Sequence, residues 1–392
     1  MGRDYHGKGE MSIDNSRPKV IFLSNGFGED EVGGAIAEKL SSLSSDWEIV
    51  AFPLVGEGKA YLKKGIPIVG YFSKMPSFGI INNNLLALFS DISHGLISTT
   101  WKQLKSLRIL AHSALFIVAI GDRVPLFMGA LTGKPLIFVG IAQSVKVHSY
   151  SFLERWVMKK FALEVFTRDI ETCEFLLKHK IKASFVGNPI LNLVSYKREP
   201  NSRCIGLLPG SRKEFSYNLK MIFKIVEEIW KRNAIVEFIL SLSPNVSLEE
   251  LMEVATSDNW QVFGKYKLRK GDIEVKLTEG IKLILAKASV VIGLAGTANE
   301  QAAGAGIPVI SFRALKRQVT KSFIKHQKRL LDKVLILLPP YPTIIAEKCL
   351  DILNDKFFLE DIARRANILW GQRETIAEIA NRLIAKGRCF EN

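Results

Sequence analysis

Short runs of Val, Ile, Leu and Phe alternate along the whole chain with longer amphipathic stretches, and this alternation limits the fold more than any other feature. A strand buried on both faces reads as a near-continuous apolar run, and parallel strands need crossover helices between them. The pattern predicts an α/β protein. Strands are expected at 19–24, 48–52, 115–120, 136–140, 165–167 and 184–186, with helices at 32–43 and 153–161. A second series is expected at 205–208, 235–241, 261–263, 290–293, 309–312 and 334–337. Between the two series lies a polar stretch containing Pro200. This organisation predicts two Rossmann-like domains with parallel sheets facing a central cleft, where a ligand should sit. The expected domains are 19–195 and 203–358, followed by helices over 359–388, for which packing back on the first domain is one placement.

A length of 392 residues and 47% apolar content suffice for a core in each domain. The 54 Lys and Arg exceed the 39 Asp and Glu by 15 charges. That balance calls for an acidic partner: nucleic acid, a phosphorylated metabolite or an anionic membrane face. No nucleic-acid motif accompanies the charge, so nucleic acid is the weakest of these. Cys173, Cys204, Cys349 and Cys389 form no CxxC pair and have no histidine spaced to complete a zinc site, which reads as reduced cytosolic thiols and no metal. The longest apolar stretch, 281–296, is interrupted by Lys282 and Lys287, so no membrane-spanning helix is expected. The first eighteen residues lack a secretory h-region, and His6 stands where myristoylation needs Ser or Thr.

Glycine-rich turns follow three of the expected strands. The first, Ser24-Asn25-Gly26-Phe27-Gly28-Glu29-Asp30-Glu31, starts like a dinucleotide fingerprint, but its third glycine position is Glu31. Like charges about 4 Å apart repel by several kcal/mol at an effective dielectric near 20, which excludes a pyrophosphate here. Two roles stay open: acids that cap the next helix, or a wall around an uncharged, hydroxyl-rich group with Gly26 and Gly28 at its base. The second turn is Leu208-Pro209-Gly210-Ser211-Arg212. Gly210 admits close backbone approach, Ser211 offers a hydroxyl and Arg212 a bidentate fork at the positive end of a helix, which suits a diphosphate. The third runs from Gly293 through Gly296 and Thr297 to Glu300. Its helix start suits phosphate oxygens, and Glu300 suits a ribose diol or a helix cap.

The Leu-Leu-Pro-Gly-Ser-Arg run, the Ala295-Gly296-Thr297-Ala298-Asn299-Glu300 helix start and the Phe185-Val186-Gly187-Asn188-Pro189 segment resemble the lipid-A-disaccharide synthase family, nucleotide-sugar glycosyltransferases of GT-B fold. The resemblance covers nearly the whole chain from Lys19. It implies a C-terminal domain that binds a UDP-sugar, with Gly210, Ser211 and Arg212 near the diphosphate, Gly296 and Thr297 beside it, and Glu300 on the ribose. It also implies inverting transfer without a metal or a cofactor beyond the UDP-sugar donor, a lipid acceptor, and a cytoplasmic protein in peripheral contact with anionic membrane. The chain departs from the family in its first half. Gly26 stands where the family has Glu, Asn82 stands in a Gly-x-x-Glu element, and Asn188 replaces the histidine of Gly-His-Pro. The departures imply a related transferase with a different acceptor.

Inverting transfer needs a base for the acceptor hydroxyl and positive charge for the departing UDP. Asp122, after an apolar strand, is the candidate base, with an N-cap as its alternative role and Asp30 or Glu29 as substitutes; Arg212 would assist the leaving group. An apolar stripe over 75–107 fits an interfacial helix or a core helix, and the acid-free 313–329 segment fits lipid headgroups, donor phosphates or plain solvation. A UDP-sugar 2-epimerase and a non-catalytic nucleotide-sugar-binding protein are the competing readings.

Overall fold

The computed structural model describes residues 17–70, 96–199, 203–210, 214–233, 235–243, 246–264, 266–313, 321–371 and 374–390. It divides into two compact units, Met1–Leu193 with Gln372–Asn392, and Val194–Gly371.

The first unit holds a six-stranded parallel sheet: β1 (Lys19–Ser24), β2 (Glu48–Pro53), β3 (Ala114–Ile120), β4 (Leu136–Gly140), β5 (Ala162–Thr167) and β6 (Ala183–Ser184), ordered β2-β1-β3-β4-β5-β6. Its helices are α1 (Phe27–Leu43), α2 (Lys59–Leu62), α3 (Leu96–Ala111), α4 (Arg123–Ala130), α5 (Phe152–Phe161) and α6 (Ile170–Lys178). The period of two along β1 sends Ile21 and Leu23 to one face of the sheet and Val20 and Phe22 to the other. The first face is covered by Leu104 and Leu107 of α3, Leu126 of α4, Met158 of α5 and Leu176 of α6. The second is covered by Ile36 and Leu40 of α1, together with residues from the end of the chain described below.

The second unit holds eight strands: β7 (Cys204–Leu208), β8 (Glu237–Leu242), β9 (Gln261–Phe263), β10 (Lys267–Lys270), β11 (Ile273–Glu279), β12 (Ala288–Gly293), β13 (Val309–Phe312) and β14 (Leu335–Leu338). Their order is β14-β13-β12-β7-β8-β11-β10-β9, parallel except where β10 pairs antiparallel with β9 and β11. The helices are α7 (Phe215–Arg232), α8 (Leu248–Ser257), α9 (Lys282–Lys287), α10 (Thr297–Gly304), α11 (Lys321–Leu331), α12 (Pro342–Asn354) and α13 (Lys356–Trp370). Phe223 of α7 stacks on the buried Trp260 with ring centroids 4.6 Å apart. A last helix, α14 (Thr375–Gly387), returns to the first unit, where Ile379, Ala380 and Leu383 are fully buried beside α1. The helices at the chain end are thus shared out, α13 to the second unit and α14 to the first.

Two local differences from the sequence reading matter. The first long helix starts at Phe27 and not at 32, which draws Glu29 and Asp30 into its first turn. The β10–β11 hairpin lies in a stretch read as lacking strands.

Candidate functional site

In an open parallel sheet, ligands bind beyond the carboxyl ends of the strands where the strand order reverses. The reversals fall between β1 and β3 in the first unit and between β7 and β12 in the second. Each unit therefore has one such place, and the turns read as ligand loops lie there.

In the second unit, β7 runs into Pro209 and Gly210, and β12 runs into Leu294, Ala295 and Gly296. Leu294 N donates to Leu208 O at 2.9 Å, so the two chains leave the sheet side by side. Gly210 takes a φ of +89°, and a Cβ there would lie 3.4 Å from Leu294 O. Glycine permits both the left-handed turn and the close approach. Among the described residues neither following helix has a side-chain cap: Gly296 precedes α10, and Glu214 precedes α7 without bonding its first turn. Side-chain caps occur on α4, α5, α6, α8 and α13, from Asp122, Ser151, Asp169, Ser247 and Asp355, whereas α1, α2, α9, α12 and α14 also begin without one. Uncapped first-turn N–H groups carry the positive end of the helix dipole and attract an anion, although at α10 the Asn299 and Glu300 N–H groups already bond Gly296 O at 3.1 and 3.3 Å. Oε2 of Glu214 is buried and has no hydrogen-bond partner among the described residues. A carboxylate there opposes an anion, so Gly296 and Thr297 at the start of α10 are the stronger anchor.

Both loops are held from beneath by amides that sequence reasoning left without a role. Asn218 of α7 donates to Pro209 O at 2.9 Å. Asn299 of α10, fully buried, donates to Gly293 O at 3.2 Å and to Gln327 Oε1 at 3.0 Å. Gln327 of α11 in turn donates to Gly296 O at 3.2 Å. The Pro209, Gly293 and Gly296 carbonyls are thereby satisfied by side-chain amides from the following helices. Glu300 is half-buried one residue beyond Asn299. Ser211 and Arg212 lie outside the described residues.

In the first unit, Asn25, Glu29, Asp30 and Asp122 gather where β1 and β3 end. Asp122 is the N-cap of α4, its Oδ1 accepting from Val124 N at 2.9 Å, while Asn25 Nδ2 reaches Oδ1 and Oδ2 at 3.3 and 3.4 Å. The Glu29 side chain runs between two glycines: a Cβ on Gly26 would meet Glu29 Oε2 at 2.6 Å, and one on Gly121, whose φ is +116°, would meet Glu29 Cγ at 2.6 Å. Burial raises the Glu29 carboxyl above the usual carboxylate range, and the neighbouring Asp122 charge adds to it. Burial likewise raises Asp122, against the lowering effect of its hydrogen bonds from Val124 and Asn25. Asp30 faces inward. Ser24 Oγ donates to Asp30 Oδ1 at 2.6 Å and Tyr61 OH donates to Ser24 Oγ at 3.0 Å, yet burial still pushes Asp30 up to about 7. Glu29 and Asp30 lie in the first turn of α1, whose N-cap is Gly26, and the Glu29 carboxylate accepts from its own backbone N–H there. Gly28 is exposed, and a Cβ there would meet nothing within 4 Å. Asn188 is buried and accepts from Ile190 N at 3.2 Å, capping the 3-10 turn Pro189–Asn192.

The basic and apolar segments divide. Of the stripe over 75–107, residues 71–95 lie outside the described set; in the remainder Leu104 and Leu107 are core and Trp101 is exposed. Of the basic segment 313–329, residues 314–320, with Lys316 and Arg317, lie outside it too, and Lys328 bonds the Asp332 and Leu335 carbonyls at 2.7 and 2.6 Å. No group of His, Cys, Asp and Glu that could hold a metal ion occurs among the described residues.

Two α/β units built on parallel sheets define the GT-B fold, and solved structures of that class match this chain over nearly its full length. MurG from Acinetobacter baumannii superposes with a TM-score of 0.58 at 15% identity, covering 94% of this chain and 99% of its own. UDP-GlcNAc 2-epimerase from Neisseria meningitidis, solved with UDP-GlcNAc bound, gives 0.57 at 13% identity, covering 95% and 100%. The calicheamicin glycosyltransferase CalG4 gives 0.61 at 12% identity, covering 95% and 98%. No protein-family model matches the sequence, and no curated protein sequence is similar to it.

Proposed function

We propose that the protein is a GT-B glycosyltransferase that moves a sugar from a UDP-sugar to a lipid or membrane-proximal acceptor, akin to lipid-A-disaccharide synthase but with another acceptor. The observation that carries the reading is the pair of adjacent loops after β7 and β12, where glycines and an uncapped helix start present backbone N–H groups braced by Asn218, Asn299 and Gln327. That arrangement suits a diphosphate. Both the N. meningitidis epimerase and the glycosyltransferases named above share the fold, which supports a nucleotide-sugar enzyme of one kind or the other.

In the proposed reaction Gly210, Ser211, Arg212, Gly296 and Thr297 hold the diphosphate and Glu300 the ribose. Asp122 takes the proton of the acceptor hydroxyl as its oxygen attacks the anomeric carbon. The bond from that carbon to the β-phosphate oxygen breaks, UDP leaves with the electron pair, and the configuration inverts. Arg212 and the α10 N–H groups stabilise the charge on UDP. No metal takes part, and Asp122 retains acceptor capacity on Oδ2 while Oδ1 caps α4.

Calorimetric titration with UDP, followed by UDP-release assays against lipid fractions, tests this. Binding with acceptor-dependent release is expected. Release without any acceptor favours the 2-epimerase reading, for which the packed Glu29, Asp30 and Asp122 carboxyls speak, and binding without release favours a non-catalytic nucleotide-sugar-binding protein.

A further inference from the structure

We propose that the first unit carries a further ligand site, apart from its ligand loops, for a small anion with a carboxylate or phosphate head on a short apolar body. A cavity of about 430 Å³ lies at the margin of the first sheet, walled by β5, β6, the end of α6 and α14. That volume falls within the range of about 300–1,000 Å³ usual for small-molecule sites. All its walls belong to one unit, although α14 comes from the far end of the chain. Leu163 and Glu164 are the second and third residues of β5, and Lys182 immediately precedes β6. In a parallel sheet the strands all begin at one edge, so the cavity lies at the edge opposite Asn25, Glu29 and Asp122. Its occupancy is therefore independent of the transferase reading.

The charges in the wall decide what enters. Lys182, Arg382 and Lys386 stand against a single acid, Glu164, whose side chain is 11% exposed. Glu164 Oε1 accepts from Ser184 Oγ at 2.6 Å and from Arg382 Nη1 at 2.9 Å. Arg382 Nε donates in turn to Glu378 at 2.7 Å, so the guanidinium is held between two carboxylates. Lys386 Nζ stops 3.8 Å from Glu164 Oε2, an ion pair beyond hydrogen-bond distance. Lys182 is exposed and forms no ion pair among the described residues. Two ammonium groups, with three donors each, thus remain for a ligand. The turn leading into β6 adds Lys178 and Lys180, both exposed, and 178–182 contains no acid. Such a positive approach steers anions.

Leu163, Leu177 and Ala385 supply the apolar part of the wall, and Leu177 is 52% exposed. An apolar flank beside two uncommitted ammonium groups fits a molecule with one anionic and one apolar end. A cationic ligand would meet three cations and an acid already paired. A purely apolar one would leave the ammonium groups without a partner. Arg382, Ala385 and Lys386 lie on α14, whereas Glu164 and Ser184 lie on the sheet. A ligand here bridges the last helix to the strands, and by binding only while α14 is docked it holds that helix in place.

Calorimetry of the full-length protein with benzoate and with phenyl phosphate, against benzyl alcohol and benzylamine, tests the proposal. At least one of the two anions is expected to bind saturably, and the tighter one names the head group; the alcohol and the amine are expected not to bind. With the anion at ten times its dissociation constant, hydrogen exchange through opening of α14 should slow about elevenfold. Ala385→Trp, which fills the cavity from an exposed position of α14, should abolish that slowing. Lys182→Gln should weaken binding at least about tenfold, the factor for one charge-assisted hydrogen bond. Where Ala385→Trp lowers the melting temperature, the exposed Lys182→Gln carries the decision. Three results would overturn the proposal: neither anion slows exchange in α14, benzyl alcohol binds as well as the anions, or Lys182→Gln binds like wild type. Phenyl phosphate binding that survives both substitutions is the third of these, since it places the anion elsewhere on the chain.

Discussion

Asp30 shows how a single buried carboxyl can shape the pH response of a whole unit. Its pKa in the folded chain, about 7, stands well above the ordinary carboxylate value near 4, so the folded state holds a proton that the unfolded state has already released. Its contribution is fully present below about pH 4 and is lost as pH rises to about 7, on the order of 2–4 kcal/mol over that window. Urea unfolding at pH 5 and pH 8 should therefore show a less stable protein at the higher pH, and Asp30→Asn should flatten that slope; an unchanged slope would remove Asp30 as its source. Gly121 makes a different point at the same scale. With φ at +116° and Glu29 Cγ 2.6 Å from any Cβ, Gly121→Ala combines backbone strain with a clash. A loss of about 1–3 kcal/mol in unfolding free energy is expected from the backbone alone, accompanied by displacement of Glu29 that a lowered Glu29 pKa in carbon-detected NMR would report. For the proposed chemistry, Arg212→Ala should weaken UDP by about 1.5–3 kcal/mol, the worth of a charge-assisted hydrogen bond, and Asp122→Asn should abolish transfer with UDP affinity retained. Unchanged calorimetric affinity in the first, or wild-type turnover in the second, would strip the residue of its role.

At the level of elements, the loops after β7 and β12 owe their shape to the helices that follow them. Asn299→Ala removes the donors to Gly293 O and Gln327 Oε1 together, and should cost about 1–3 kcal/mol in the second unit. Because Gln327 also bonds Gly296 O, the Asn299→Ala/Gln327→Ala pair should be non-additive in a double-mutant cycle; strict additivity would mean that the amides do not act as one brace. The strands were far easier to read from the sequence than this brace. Apolar runs such as those at Lys19–Ser24, Leu136–Gly140 and Val309–Phe312 are buried on both faces and carry their own bounds. The β10–β11 hairpin escaped because Leu268, Ile273, Val275 and Leu277 alternate with Lys, Arg and Glu, the pattern of a sheet margin with one face in water. Its signal was the Gly271-Asp272 pair between the two runs. The turns at the strand ends were legible because glycine announces them. Asn218, Asn299 and Gln327 were not, because a buried amide that holds a loop from another element leaves no local trace, and the first-turn position of Glu29 and Asp30 depended on a helix start with no capping side chain.

Across the whole molecule, the division of the chain end is the most consequential arrangement. Ile379 and Leu383 of α14 are fully buried against the first sheet although they follow the entire second unit in sequence. Each such side chain is worth about 1.5–3 kcal/mol on burial. A chain ending at 371 should therefore lose amide protection in α1, β1 and β2 by hydrogen exchange while the second unit keeps its protection; equal loss in both would contradict the assignment of α14. The same feature bears on synthesis. On the flank of the first sheet that α1 covers, the part that α14 shields stays open until residues 375–387 have been made. The later half, whose strands and crossovers all lie within one continuous stretch, can close beforehand. The first unit is therefore completed only after the whole of the second unit has been synthesised, when α14 can take its place beside α1.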